Sequence, residues 1–202
     1  MKLYYKPGAC SLSPHIVLNE GEFNYESEKV DFATGKTESG ADYKTINPNG
    51  YVPALQLDTG EILTEGPAIV QYLADQVPAK RLAPAAGTMA RYRLIAWLNF
   101  IATELHKTIG VSFNKQTPQA WIDLVKTRLP QRFDYVSSQL DGKTWLMGDD
   151  FSVADAYLFT VLNWCKQVEI DLAPWPIITA YLARVMARPT VVAALKQEGI
   201  IK

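Results

Sequence analysis

The chain has 202 residues, with 20 Lys and Arg against 21 Asp and Glu and a formal net charge of −1. That length suits one or two packed domains, and near-neutral charge argues against general nucleic-acid binding. The only cysteines, Cys10 and Cys165, show no Cys-x-x-Cys and no Cys/His metal spacing, so neither a disulfide framework nor a metal site is expected.

Leu3, Tyr4 and Tyr5 favour a strand, and Pro7-Gly8 is a turn signal. Leu12, Ile16 and Val17 fall at helical spacing, which predicts a helix over 12–19 with Ser11 or Ser13 as N-cap and Pro14 tolerated in the first turn. Cys10 then sits at or just before a helix N-terminus, where free N–H groups and the dipole favour a thiolate. Ionisation alone gains little, because nucleophilicity falls with pKa. A useful Cys10 therefore needs something bound and oriented beside it. The competing reading is that Cys10 is a small buried hydrophobe, as lone cysteines commonly are. His15, about a turn away, could tune the thiol or simply pack.

A second strand is predicted over 25–32, a polar loop over 34–40 and a short helix over 41–46, ending before the turn Asn47-Pro48-Asn49-Gly50. Val52 to Leu57 and Glu61 to Thr64 flank Asp58-Thr59-Gly60 as a β-hairpin, with Pro53 at the strand's first residue because it cannot donate to a ladder. If the Val52–Pro53 bond is cis, the Val52 peptide groups turn outward at a sheet edge and could pair with a peptide-like ligand as an added strand; a trans bond in a plain turn is the alternative. Thr64-Glu65-Gly66-Pro67 opens a third helix carrying Ile69, Val70, Leu73 and Ala74. Thr64 can cap it, its N-terminus suits a carboxylate, and Glu65 suits an ammonium group. Together these fit the α-amino-acid end of a ligand, or else mark an ordinary capped helix. The order β-α-β-α-β-β-α makes residues 1–77 an α/β domain.

Residues 78–87, rich in Pro and Ala, read as a linker, and residues 88–202 read as all-α. Helices are predicted over about 88–113 and 118–140, from a capping box at Ser152 and Asp155 to about Val168, after Pro174-Trp175-Pro176, and from Pro189. On the first of these, Asn99, Thr103, His106, Lys107 and Gly110 share one face, while Leu94, Leu98, Ile101, Leu105 and Ile109 form the apolar stripe. The polar face is either solvated or the wall of a cleft between domains, where sites often form. Cys165 and the five tryptophans are read as structural.

These pieces together resemble the cytosolic glutathione S-transferases, specifically the bacterial beta class, over essentially the whole chain. The marks are the run from Lys2 to His15, Asn47 to Pro53, Ile62 to Asp75, Trp97 to Lys107 with its Thr-Glu-Leu-His-Lys end, and Phe151 to Phe159. The resemblance implies a thioredoxin-like N-terminal domain, an all-helical C-terminal domain and a homodimer. It implies glutathione as co-substrate, no metal, and catalysis by Cys10 and His106. Cys10 would lie beside the glutathione sulfur, able to form a mixed disulfide with it. Val52, next to a cis Pro53, would pair with the cysteinyl backbone; Glu65 and the Gly66 N–H would hold the γ-glutamyl end. Asn99, Thr103, Glu104 and His106 fall where the family contacts glutathione, some of them from the partner subunit. The loop lysine common in the family is replaced by Gly35, with Lys36 beside it as the candidate substitute. Tyr51 and Asn49 replace a common Gln and Lys, which implies a weaker hold on the glycyl carboxylate. The implied reaction is conjugation of glutathione to small, largely apolar electrophiles. Glutathione-dependent thiol–disulfide exchange or dehalogenation, and non-catalytic ligand binding, are the alternatives. With no secretory signal and no membrane span, a cytoplasmic location is expected.

Overall fold

In the computed structural model, which describes all 202 residues, the apolar start of the chain becomes the middle strand of a five-stranded sheet. Strand β1 (Lys2–Tyr5) lies parallel to β2 (Glu26–Asp31) and antiparallel to β4 (Ala54–Gln56). Strand β5 (Ile62–Thr64) closes the predicted hairpin with β4, and β3 (Lys36–Thr37) borders β2, giving the order β3-β2-β1-β4-β5. Leu3 opposes Leu55 and Tyr4 opposes Ala54 across the β1–β4 register. Side chains alternate faces along a strand, so one face carries Leu3 and Leu55, both fully buried. The other builds a core from Tyr4, Val30, Tyr43, Val52 and Ala54.

Strand β3 lies inside the segment 34–40 that the sequence reads as loop. Val30 opposes Thr37 and Asp31 opposes Lys36 across the β2–β3 register, and the Glu38 N–H donates to Lys29 O at 2.8 Å. Backbone pairing at an edge makes this strand, and its polar side chains carry no alternation to announce it. The expected short helix over 41–46 is a single 3-10 turn, Tyr43–Thr45, capped where the Asp42 carboxylate accepts the Lys44 N–H at 3.0 Å.

Helix α1 (Leu12–Glu20) is buried from Leu12 through Leu18, and α2 is Gly66–Gln76. These helices pack on each other, and α2 on β4 and β5. Ser11, one of the two candidates, takes the N-cap position of α1 but makes no side-chain cap. Ser11 is already helical, and its hydroxyl accepts the Lys6 N–H at 3.1 Å and donates to Lys6 O at 3.2 Å, pinning the turn before Cys10.

Two compact units divide the chain, Met1–Ala83 with Arg188–Lys202, and Pro84–Ala187. The division differs from the sequence boundaries because the last helix, α8 (Pro189–Gln197), packs on α1. Arg188 Nε and Nη2 meet the two oxygens of Glu20 at 2.7 and 2.8 Å, a fork geometry in which Thr190 joins. The Glu198 side chain, fully buried, accepts the Gly8 N–H on Oε2 at 2.8 Å and lies 2.9 Å from His15 Nδ1 through Oε1.

The second unit is all-helical. It contains α3 (Met89–Phe100), a π-helical segment Ile101–His106, α4 (Lys107–Gly110) and a 3-10 turn Val111–Phe113. α5 (Gln119–Leu140), α6 (Val153–Leu162) and α7 (Pro176–Met186) follow. The sequence predicts one uninterrupted helix over 88–113; the π segment breaks it. The apolar stripe hides the break, since Leu94, Leu98, Ile101, Leu105 and Ile109 are all buried regardless. Ser152 and Asp155 form the predicted capping box. The Asp155 carboxylate also accepts the Leu146 N–H at 2.7 Å and the Tyr181 hydroxyl at 3.0 Å. No single helix is long and apolar enough to cross a membrane.

Candidate functional site

The first unit brings four of the predicted residues together. Cys10 sits half-buried in the turn that leads into α1, and its Sγ donates to Val52 O at 3.1 Å. A hydrogen bond in that sense uses the thiol proton. The first N–H groups of α1 are engaged as well: Leu12 donates to Ala9 O, Ser13 to Cys10 O and His15 to Ser11 O. The sulfur thus lies at the start of α1 and against a backbone carbonyl.

The Val52–Pro53 bond is cis. The loop before it is fixed at Tyr51 O, which accepts from Asn47 Nδ2 at 2.7 Å and from the Tyr43 hydroxyl at 2.8 Å. Burial pushes the Tyr43 phenol up to about 12, so it remains a donor. Asn47 also caps its own turn, its Oδ1 accepting the Asn49 N–H. The residue that signals a turn in the sequence is thus a buried clamp on the site loop. No hydrogen bond within the protein engages the Val52 N–H.

Glu65 joins β5 to α2 with φ 68° and ψ 111°. A non-glycine residue in such a conformation costs about 1–3 kcal/mol. Thr64, the expected cap, is the last residue of β5; Glu65 takes the N-cap position without a side-chain cap. Ala68 and Ile69 donate to Glu65 O, Pro67 has no N–H, and the Gly66 N–H has no partner within the protein. A Cβ added to Gly66 would lie 3.8 Å from Pro53 Cγ, so this helix start adjoins the cis-proline edge. Cys10, Val52, Pro53 and Gly66 are therefore contiguous, with Glu65 exposed beside them. Lys36 is not part of this contact chain: it is exposed on β3, with β2 and β1 between it and β4.

In the helical unit the predicted polar residues fall on the end of α3 and on the π segment. Asn99 and Thr103 are exposed, and each donates to the preceding turn, Nδ2 to Ile95 O at 2.9 Å and Oγ1 to Asn99 O at 3.0 Å. Glu104 is held by Arg132 of α5, through Nε at 3.2 Å and Nη2 at 2.9 Å. His106 Nδ1 lies 2.6 Å from the Tyr157 hydroxyl of α6. Its ring meets Tyr157 and Trp164 edge-on, at 5.8 and 4.9 Å between centroids, and Phe113 extends the cluster at 5.6 Å from Trp164. Burial, with Lys107 nearby, lowers the imidazole pKa to about 4. His106 is therefore neutral near neutral pH, a donor through one nitrogen and an acceptor through the other. π-Helical turns recur at functional positions, and this one carries three of the predicted residues.

Sequence reasoning missed Tyr157, Trp164 and Arg132. The available signal was Tyr157 itself, a phenol in the apolar run Val153–Leu162, since a buried tyrosine hydroxyl needs a partner.

A thioredoxin-like sheet with a cysteine against a cis-proline edge, carried in one chain with an all-helical unit, defines a class of thiol-handling proteins. Comparison with known proteins narrows it. The family model "Glutathione S-transferase, N-terminal domain" matches residues 1–75, and "Glutathione S-transferase, C-terminal domain" matches residues 97–189. Glutathione S-transferase GstA of Escherichia coli O157:H7 is 46% identical over 99% of this chain and 100% of its own length. The bacterial beta class glutathione S-transferase of Sphingomonas chungbukensis is 46% identical with a TM-score of 0.96, covering 100% of both chains. A sphingomonad glutathione S-transferase complexed with glutathione is 46% identical with a TM-score of 0.95, again covering 100% of both chains. The chain belongs to the glutathione S-transferase family.

Proposed function

We propose that the protein binds glutathione and directs its thiolate at small, largely apolar electrophiles. The observation that carries this is the contiguity of Cys10 Sγ, the Val52–Pro53 edge and the start of α2. A tripeptide needs a backbone edge, a carboxylate site and a place for its sulfur, and these are adjacent here. The Val52 N–H is available to the cysteinyl backbone in strand-addition fashion. The Gly66 N–H at the helix start suits the γ-glutamyl carboxylate, and the Glu65 carboxylate its ammonium group. Cys10 is the neighbour of the glutathione sulfur; Lys36, on β3 and outside that contact chain, is the candidate for the glycyl carboxylate on the strength of the family resemblance alone. Asn99, Thr103, Glu104 and His106 are assigned as the helical unit's contribution, with Glu104 oriented by Arg132. His106, being neutral, would stabilise the sulfur by donating a hydrogen bond rather than as a cation.

In the reaction the glutathione thiol loses its proton to solvent. The resulting sulfur lone pair then forms the new S–C bond while the C–X bond breaks, and X leaves with its electron pair. The gain comes from holding the sulfur in place and stabilising its negative charge. With oxidised glutathione instead, the Cys10 thiol loses its proton to solvent, its sulfur attacks one sulfur of the disulfide as the S–S bond breaks, a mixed disulfide forms and the other glutathione leaves as its thiolate. A homodimer in a reducing compartment belongs to the same reading.

The test compares wild type with Cys10→Ala, measuring conjugation of a generic aryl halide and intact mass after incubation with oxidised glutathione. Conjugation and a single glutathione adduct, absent from the alanine variant, are expected of wild type. Absence of glutathione binding in wild type would overturn the reading. Disulfide reduction without aryl halide conjugation would make exchange the principal activity.

A further inference from the structure

We propose that Tyr157 is a positioning residue for His106: its hydroxyl donates to Nδ1, keeps the imidazole proton on Nε2, and so presents Nε2–H as the donor to the glutathione sulfur. This rests on the reading above that His106 acts on that sulfur.

The geometry supplies the argument within the helical unit alone. The Tyr157 hydroxyl lies 2.6 Å from Nδ1, a short hydrogen bond. Of the two ways to place the proton, a phenol is the stronger acid and an imidazole nitrogen the stronger base, so O–H···N is the favoured sense. A neutral imidazole with Nδ1 accepting must carry its proton on Nε2. The lowered pKa of His106 is consistent with this, since a neutral ring is what the arrangement requires.

Orientation is fixed from two further sides. Tyr157 is buried on α6, a helix buried at every residue, so its hydroxyl has little freedom. Trp164 stands edge-on to the imidazole at 4.9 Å. Gly110, one turn beyond His106, carries no side chain; a Cβ there would lie 3.8 Å from His106 Cδ2, the carbon bonded to Nε2. The edge bearing Nε2 is thus left uncrowded while the Nδ1 edge is occupied, and Nε2 makes no hydrogen bond within the protein. A tyrosine that served only to fill space would not need its oxygen at Nδ1.

The chain has two histidines, so nitrogen NMR of histidine-labelled protein shows two imidazoles, assigned by comparison with His106→Ala. In wild type at neutral pH, His106 is expected to show a protonated Nε2 and an unprotonated Nδ1. In Tyr157→Phe the tautomers should mix. There kcat should fall about five- to tenfold, the scale of one neutral hydrogen bond, with the KM for glutathione changed less than about twofold. The same substitution should add no further loss to His106→Ala. A proton on Nδ1 in wild type overturns the proposal whether or not the phenylalanine variant folds. So does an unchanged kcat in Tyr157→Phe when His106→Ala is impaired. Full activity in His106→Ala overturns instead the reading of His106 on which the proposal rests, and the wild-type tautomer still tells the two failures apart.

Discussion

Replacing Glu198 by alanine should loosen the turn that carries Cys10. The carboxylate is fully buried, accepts the Gly8 N–H at 2.8 Å and lies 2.9 Å from His15 Nδ1. Hydrogen bonds to a charged group are worth about 1.5–3 kcal/mol each. His15 cannot compensate by turning its ring over, because its Nε2 is already buried without a partner. Loss of both contacts should cost about 3–6 kcal/mol, which at about 2–4 °C per kcal/mol for a chain of this size lowers Tm by about 6–24 °C. Glu198→Gln should be milder, about 1 kcal/mol. Its amide oxygen still accepts from Gly8, and its NH2 can donate to Nδ1 if the imidazole proton sits on Nε2. Thermal unfolding gives the ranking, and the rate of Cys10 adduct formation with oxidised glutathione shows whether the turn has moved. A Tm for Glu198→Ala within about 2 °C of wild type would refute the reasoning. A glutamine variant as damaged as the alanine one would show that charge, rather than acceptor geometry, holds the turn.

Glu65→Gly should raise Tm by about 2–4 °C, because glycine adopts φ 68° without the penalty. It should also raise the KM for glutathione about tenfold by removing the carboxylate, and a variant neither stabler nor weaker in binding would contradict both halves. His106, lowered to about 4 from 6.5, stays neutral in the fold while the unfolded chain takes up a proton below pH 6.5. Its contribution to stability is therefore full above that pH and lost as pH falls toward about 4. A proton NMR titration should show its midpoint near 4, and a midpoint near 6.5 would rule this out. Burial opposes ionisation of Glu28, but Ser39, Thr37 and Lys2 outweigh it and hold the carboxyl down at about 2. The stability it brings is present above its ordinary value of 4.5 and lost as pH falls toward about 2. The Tm gap between wild type and Glu28→Gln should close over that window, and a gap independent of pH would count against it.

The features legible in the sequence are those set by neighbours along the chain. The hairpin around Asp58-Thr59-Gly60, the Ser152–Asp155 capping box and the apolar stripe of α3 need only local pattern. The same holds for the turn before Cys10 and for the helix start at Gly66, though which atoms satisfy which could not be read locally. Ser11 spends its hydroxyl on Lys6 rather than on the helix, and Asn47 clamps Tyr51 rather than only turning the chain. Contacts distant in sequence left no trace. Glu198 reaches back to Gly8 and His15, and His106 meets Tyr157 across 51 positions. The π segment escaped because a stripe spaced at three and four residues fits both helix types over so short a run. Strand β3 escaped because an edge strand of two residues is specified by its backbone bonds and not by its side chains.

Arg188–Lys202 belong to the first unit although the whole of the second unit precedes them in the chain. Translation delivers the sheet and α1 first, then the whole of Pro84–Ala187, and only afterwards the segment that packs on α1. Since domains generally fold as units, N-terminal first, the half carrying Cys10 leaves the ribosome early but waits with α1 uncovered and the Pro7-Gly8 turn without its Glu198 anchor. The helical unit, continuous in sequence, has every residue it needs sooner. Maturation of the cysteine-bearing half is thus timed by the arrival of α8, and a nascent chain halted before Arg188 would present its thiol in an unfinished setting.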